Sequence, residues 1–238
     1  MKVRATHRSE NPGAILTLME SVVARVSALP DMRTATVRSA RRELSRELAA
    51  ADPETMLALA LRLLREHPED PYRFVAYELV HYHPAALHAL NAASLERLGA
   101  GMASWEAVDT FAPYLSGPAW REGQAPDSLI VRWARSKDRW WRRAALVSTV
   151  ALNLRARGGH GDARRTLLIC ELLTGDRDDM VVKAMSWALR ELSRRDRKAV
   201  EVFVSTHHAV LAPRVLREVN HKLATGLKQR RKAKLRAT

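Results

Sequence analysis

The chain has 238 residues, 47% of them hydrophobic and 28% charged, so it is long and apolar enough to bury a core, and disorder is not its default. Its single cysteine, Cys170, excludes an intramolecular disulfide and an all-cysteine zinc site. Forty lysines and arginines stand against 26 acids, a formal charge of +14, and the chain without its seven basic residues from Lys222 to Arg236 is still at +7. That excess points to a polyanion partner, because each phosphate neutralised releases counterions. The apolar runs are short and broken by Arg, Glu or His, which argues against a membrane span. Met1 to Glu10 carry no secretory apolar core. The expectation is a cytoplasmic, nucleoid-associated protein.

The pattern is helical from end to end. Asn11-Pro12 opens a segment whose apolar residues, Ile15, Leu18, Met19, Val22, Val23 and Val26, fall on a 3.6-residue stripe. The spacing predicts further helices near 34–50, 53–66, 71–82, 94–99, 104–112, 126–135, 138–156, 162–174, 179–194, 196–207 and 213–230. Asp52 and Asp70 are the expected N-caps of two of them, each followed by a proline at the first helical position. The least regular stretch, Arg155 to Arg165, holds Gly158, Gly159 and Gly161. No strand precedes it and no Gly-Lys-Ser/Thr follows, so it reads as a flexible basic loop and not as a P-loop. Helix pairs return at intervals of roughly 35–45 residues, within the range of HEAT and armadillo units. The expected fold is therefore all-α, a superhelical array of HEAT-like or armadillo-like antiparallel helix pairs with a basic concave face. Composition leaves a plain helical bundle open. Residues 1–226 are expected to form one repeat domain and 227–238 a flexible basic tail.

Few residues are arranged for familiar chemistry. His81 and His83 are two apart and His207 and His208 adjacent, neither the spacing of a zinc helix. Cys170 lies among Leu167, Leu168, Ile169, Leu172 and Leu173 and reads as core. No Gly-x-Ser-x-Gly elbow is present. Tryptophan is the more telling residue, with Trp105, Trp120, Trp133, Trp140 and Trp141 in one stretch and Trp187 further on. In SWEAVDTF (104–111), Ser104 is placed to cap a helix, and Trp105 and Asp109 are four apart on one face. The ordinary expectation for such a pair is a core Trp and a solvent-facing Asp. In WWRRAA (140–145), indoles sit beside the guanidinium groups of Arg142 and Arg143. This interleaving suits phosphate contact with ring packing, and equally suits plain cation–π packing. In MVVKAMSWALRELSRR (180–195), Trp187 and Arg190 also share a face.

Taken in order, these blocks resemble the AlkD-like DNA alkylation repair glycosylases. SWEAVDTFAP (104–113) is similar to that family's W-x-x-x-D-x-x-A-P signature, WWRRAAL (140–146) to its following helix, and KAMSWALRELSRRD (183–196) to its K-A-x-x-W-A-L-R-E block. The likeness spans about residues 30–225. It implies an array of HEAT-like repeats clasping duplex DNA and excising cationic N3- and N7-alkylated purines by hydrolysis, without the base extrusion that most glycosylases use. It implies Asp109 as the catalytic carboxylate, with Trp105 and Trp187 as aromatic partners. Arg143 and Arg190 then hold phosphates near the lesion, with Arg142 and Lys183 as further DNA contacts. Breaking an N-glycosidic bond builds positive charge on the sugar, which a fixed carboxylate stabilises and indole faces favour. The motif blocks hold no obvious amine nucleophile, so the expected enzyme is monofunctional. It needs no cofactor or metal and works as a monomer.

The chain departs from the family pattern in one place. Ile15 to Met32 contains no aromatic residue, where family members often carry one facing the lesion. That motivates an alternative of another class, a non-catalytic HEAT-like DNA-binding protein recognising damaged or branched DNA. Charge alone also admits a scaffold for acidic protein partners.

Overall fold

Proline, Asp and Asn punctuate the chain into helices at nearly the places their chemistry dictates. The structure, a computed structural model, describes residues 12–227, and all regular structure among them is helical. The expected fold class, all-α, holds. The basic tail from Lys228 and the residues before Pro12 lie outside the described residues. No helix of the described residues is long and apolar enough to cross a membrane. The chain divides into two compact units, with the boundary between Gly101 and Met102.

The first unit holds α1 (Pro12–Ser27), α2 (Thr34–Glu47), α3 (Pro53–Glu66), α4 (Asp70–His81), α5 (Pro84–His88) and α6 (Ala92–Gly99). Helix α1 buries Ile15, Met19, Val22 and Val26, the alternating four- and three-residue steps of one helix face. Asp52 caps α3 as expected, its carboxylate accepting from the Thr55 N–H at 2.7 Å. Asp70 does not cap α4. Glu69 takes the N-cap position without a side-chain bond, and Asp70 and Pro71 are the first two helical residues. Asn91 and Ser94 form a reciprocal capping box on α6, starting it two residues before the expected 94. Helix α5 was not expected, because five residues are too few to show a hydrophobic period. Helices α3 and α4 pack together, with α1 beside α3 and α2 beside α4.

The second unit begins with α7 (Trp105–Phe111), capped by Ser104, whose Oγ accepts from the Ala107 N–H at 3.0 Å. The chain then continues through a π-helical turn (Ala112–Ser116) into α8 (Gly117–Arg121), where the sequence pattern had ended the helix at 112. The prolines explain the continuation. Pro118 has no N–H, and in an α-helix its ring would press on the carbonyl of Tyr114. Widening to a π-turn relieves this, and the Gly117 N–H donates to Ala112 O, five residues back. Next come α9 (Asp127–Ala134), α10 (Arg139–Asn153), α11 (Ala163–Leu172), α12 (Asp179–Leu192), α13 (Arg197–Thr206) and α14 (Pro213–Thr225). Helices α10, α12 and α14 lie side by side as one row. Helices α9 and α11 pack on α10, α11 on α12, and α13 on α12 and α14. This two-layer arrangement makes α10 the central element of the unit, buried from Arg143 to Asn153.

Helix α10 stops at Asn153, short of the expected 156, and a 3₁₀ turn (Arg155–Arg157) leads into Gly158 at φ +76°. The glycine loop is held and does not hang free. Arg195 donates to the carbonyls of Asn153 (2.8 Å) and Gly159 (2.9 Å), and Arg121 donates to Arg157 O (2.5 Å). Both arginines thereby satisfy carbonyls that the end of α10 and its loop leave open.

Gly117 marks the tightest approach in this unit. A Cβ there would lie 2.5 Å from Ala151 Cβ and 2.7 Å from Ser148 O, both on α10. Gly117→Ala is expected to destabilise the protein by about 1–3 kcal/mol, as other overpacked cores are. A chemical-denaturation midpoint equal to that of the parent would contradict this packing.

Candidate active site

The residues singled out from sequence converge on three helices of the second unit. Helix α7 carries Trp105 and Asp109 one turn apart on one face. The burial is the reverse of the ordinary expectation: Trp105 is 50% exposed, whereas the Asp109 side chain is only 21% exposed. Asp109 is turned toward α10, where Arg143 receives it with a two-pronged fork. Arg143 Nε donates to Oδ1 at 3.0 Å and Nη2 to Oδ2 at 2.8 Å. The third prong, Nη1, donates to the carbonyl of Met180 in the first turn of α12 at 2.5 Å. One buried guanidinium thus ties α7, α10 and α12 together, in the planar geometry that arginine alone provides.

Burial pushes the Asp109 carboxyl above the ordinary aspartate range, the Arg143 fork pulls it back, and the nearby charge of Glu106 adds to the rise. The net displacement is upward. An aromatic cluster braces the C-terminal end of α7. Phe111 lies 6.0 Å from Trp133 and 6.2 Å from Trp141, and the two indoles are 4.7 Å apart. These rings come from α7, α9 and α10, so the tryptophan-rich stretch is partly a clamp on the helix that bears Asp109. Trp120 is wholly buried, its N–H donating to Asp127 at 2.8 Å.

The flanking basic residues are each engaged with protein acceptors. Arg142 donates to Asp176 (2.7 Å) and to the carbonyls of Ser136 (3.1 Å) and Lys137 (2.8 Å), joining the turns before α10 and α12. On α12, Lys183, Trp187 and Arg190 share one face at steps of four and three. Lys183 pairs with Asp179 at 2.6 Å and Trp187 is half-buried. Arg190, only 8% exposed, donates to Ser186 O at 3.0 Å and lies 3.9 Å from Glu218 on α14. Burial draws its pKa below the usual arginine value, against the pull of Glu218. Arg143 and Arg190, the two arginines expected at phosphates, are thus directed at protein groups, Arg143 at Asp109 itself. Sequence reasoning missed the Met180 carbonyl, Asp176 and Glu218 as the partners of Arg143, Arg142 and Arg190 respectively. Those partners lie 37, 34 and 28 positions away, beyond any local pattern. Among the described residues no group of three His, Cys, Asp or Glu side chains is placed to hold a metal ion.

A family described as DNA alkylation repair enzyme matches residues 30–223, most of the chain and the whole of this site. The chain belongs to that family. No curated protein matches it. As a DNA alkylation repair enzyme, it acts on DNA and carries its paired carboxylate and guanidinium well inside the matched span.

Truncating the guanidinium would leave the largely buried Asp109 carboxylate without its cationic partner and would remove the side-chain donor on the Met180 carbonyl. Arg143→Ala is expected to cost about 3–5 kcal/mol of stability, the usual consequence of breaking a buried ion pair on one side. Urea unfolding of the two proteins measures this, and an unchanged midpoint would contradict the tie between the three helices.

Proposed function

We propose that this DNA alkylation repair enzyme is a monofunctional DNA glycosylase. It hydrolyses the N-glycosidic bond of positively charged N3- and N7-alkylated purines in duplex DNA without extruding the base. It serves base excision repair or resistance to alkylating agents, works as a monomer, and uses water as its only co-reactant. The observation that carries the reading is the Asp109 carboxylate, fixed by the Arg143 fork one turn from a half-exposed indole.

The chemistry follows from those groups. An alkylated purine is cationic, so the C1′–N bond breaks with its electron pair moving onto the base, which departs neutral. Positive charge is left on the deoxyribose. A carboxylate held beforehand in one orientation stabilises that charge without reorganising, and it accepts a proton from the water that attacks C1′. Trp105 offers an indole face to the same cation, a contribution of roughly 0.5–2 kcal/mol. Arg143 is then a positioning residue acting through Asp109. Trp187 and Lys183 form the neighbouring surface against which the DNA backbone is held, and Arg142 and Arg190 brace that surface through their protein partners. The same fork favours a second reading, a non-catalytic protein recognising damaged or branched DNA, because a carboxylate paired with a guanidinium has part of its charge offset.

Release of 7-methylguanine from a duplex separates the two. The parent protein is expected to release the base, and Asp109→Asn to slow release by roughly 10²–10³. Duplex binding with no release of either methylated or bulky alkylpurines would favour the non-catalytic reading. The pH profile adds a second check. Activity requires the ionised carboxyl, so it falls as pH drops through the Asp109 pKa, and burial sets that limb above the ordinary value of about 3.9. Arg143 lowers this pKa, so Arg143→Gln is expected to move the limb to higher pH. A limb unmoved in that variant would sink the assignment of the titration to Asp109.

A further inference from the structure

The first unit carries a second constellation that the Asp109 site does not use. Glu78 on α4 is 0% exposed, and its two oxygens face two arginines of α2. Arg38 Nε donates to Oε1 at 3.0 Å and Arg41 Nε to Oε2 at 2.9 Å. A carboxylate taken wholly out of water holds its charge only when so paired, and the pairing fixes both guanidinium groups in turn. Each guanidinium also lies on a ring: Arg38 is 5.4 Å from the centroid of Phe74, and Arg41 is 3.9 Å from that of Tyr82. Phe74, Glu78 and Tyr82 follow one another at four-residue steps along α4 and its C-cap. The sequence along this line is ring, cation, anion, cation, ring.

Tyr82 is the unusual member. Tyr77, on the same helix, is 0% exposed, whereas Tyr82 is 46% exposed although Arg41 beneath it is only 6% exposed. One side of the ring is covered by the Arg41 guanidinium, the His81 ring packs against it edge-on at 4.7 Å, and about half of the residue is left in water. Arg38, with 38% of its side chain exposed, and the exposed Arg42 put positive charge along the same helix pair. A ring with an open surface and cations beside it matches a flat π system carrying a phosphate, which is a nucleotide whose base is unstacked. Bases inside a duplex have both faces covered, so the fitting partner is a single strand. We propose that the Phe74–Arg38–Glu78–Arg41–Tyr82 stripe binds single-stranded DNA, with Tyr82 stacking on a base and Arg38 meeting the backbone. The stripe would let a DNA alkylation repair enzyme engage gaps, overhangs or frayed ends.

The test compares a labelled oligothymidine strand with an abasic strand of the same length and charge, by fluorescence anisotropy. The parent protein is expected to bind the thymidine strand about 5- to 150-fold more tightly, the range that one base–aromatic stack supports. Tyr82→Ala is expected to erase that preference and Tyr82→Trp to keep it. The proposal is overturned if the parent binds both strands alike, or if Tyr82→Ala keeps the full preference, in which case the stripe only fastens α2 to α4. The readout is strand binding, so the result stands apart from whether alkylpurines are released.

Discussion

Three prongs of one guanidinium hold the second unit's site in place. Arg143 sits in the buried stretch of α10, and its donors meet both oxygens of Asp109 on α7 and the Met180 carbonyl at the start of α12. A lysine cannot reproduce this, because an ammonium presents a point charge and not a planar fork. The arrangement serves two ends that often conflict. It offsets the cost of burying the carboxylate, and it fixes the orientation of that carboxylate. The upward displacement of the Asp109 pKa shows that the compensation is incomplete. Carboxylates with raised pKa values beside a specific charge partner are concentrated at functional sites.

The rest of the unit is organised around α10. Its flanks meet α9, α11, α12, the π-turn and α8. Small residues make this possible, with Ser148 and Ala151 lying against Gly117 and the Ser116 and Ser148 hydroxyls 2.7 Å apart. The π-turn is more than a relief for Pro118. It lets α7 run on into α8 without leaving the face of α10, so the helix with Asp109 is anchored on both sides of that carboxylate. At one end stands the Ser104 cap, at the other the Phe111–Trp133–Trp141 cluster.

Much of this was legible in the sequence, for identifiable reasons. Helices with strong local signals, such as α3 with its Asp52 cap or α12 with its apolar stripe, fell within a few residues of where spacing put them. The failures came where a local rule met a competing one. Spacing ended a helix at 112, yet a widened turn carried the chain on past Pro113 and Pro118. Asp70 read as a cap, yet the helix began one residue earlier. The candidate site residues were singled out by spacing and by the order in which their blocks resemble the family's, and Trp105 and Asp109 do share a face. What no spacing could give was the direction each side chain takes. Arg143 turned to a carboxylate 34 residues away, and Trp105 turned to water while Asp109 turned inward. Those choices are made by long-range packing.

Cys170 gains a meaning from the family to which the chain belongs. Agents that alkylate purines are electrophiles, and the most reactive nucleophile a protein offers them is a thiolate. This chain has one cysteine, wholly buried on α11, and burial pushes its thiol far above the ordinary range. Burial keeps this thiol away from solvent, so the chain presents no accessible thiol to electrophiles of the kind whose damage its family repairs.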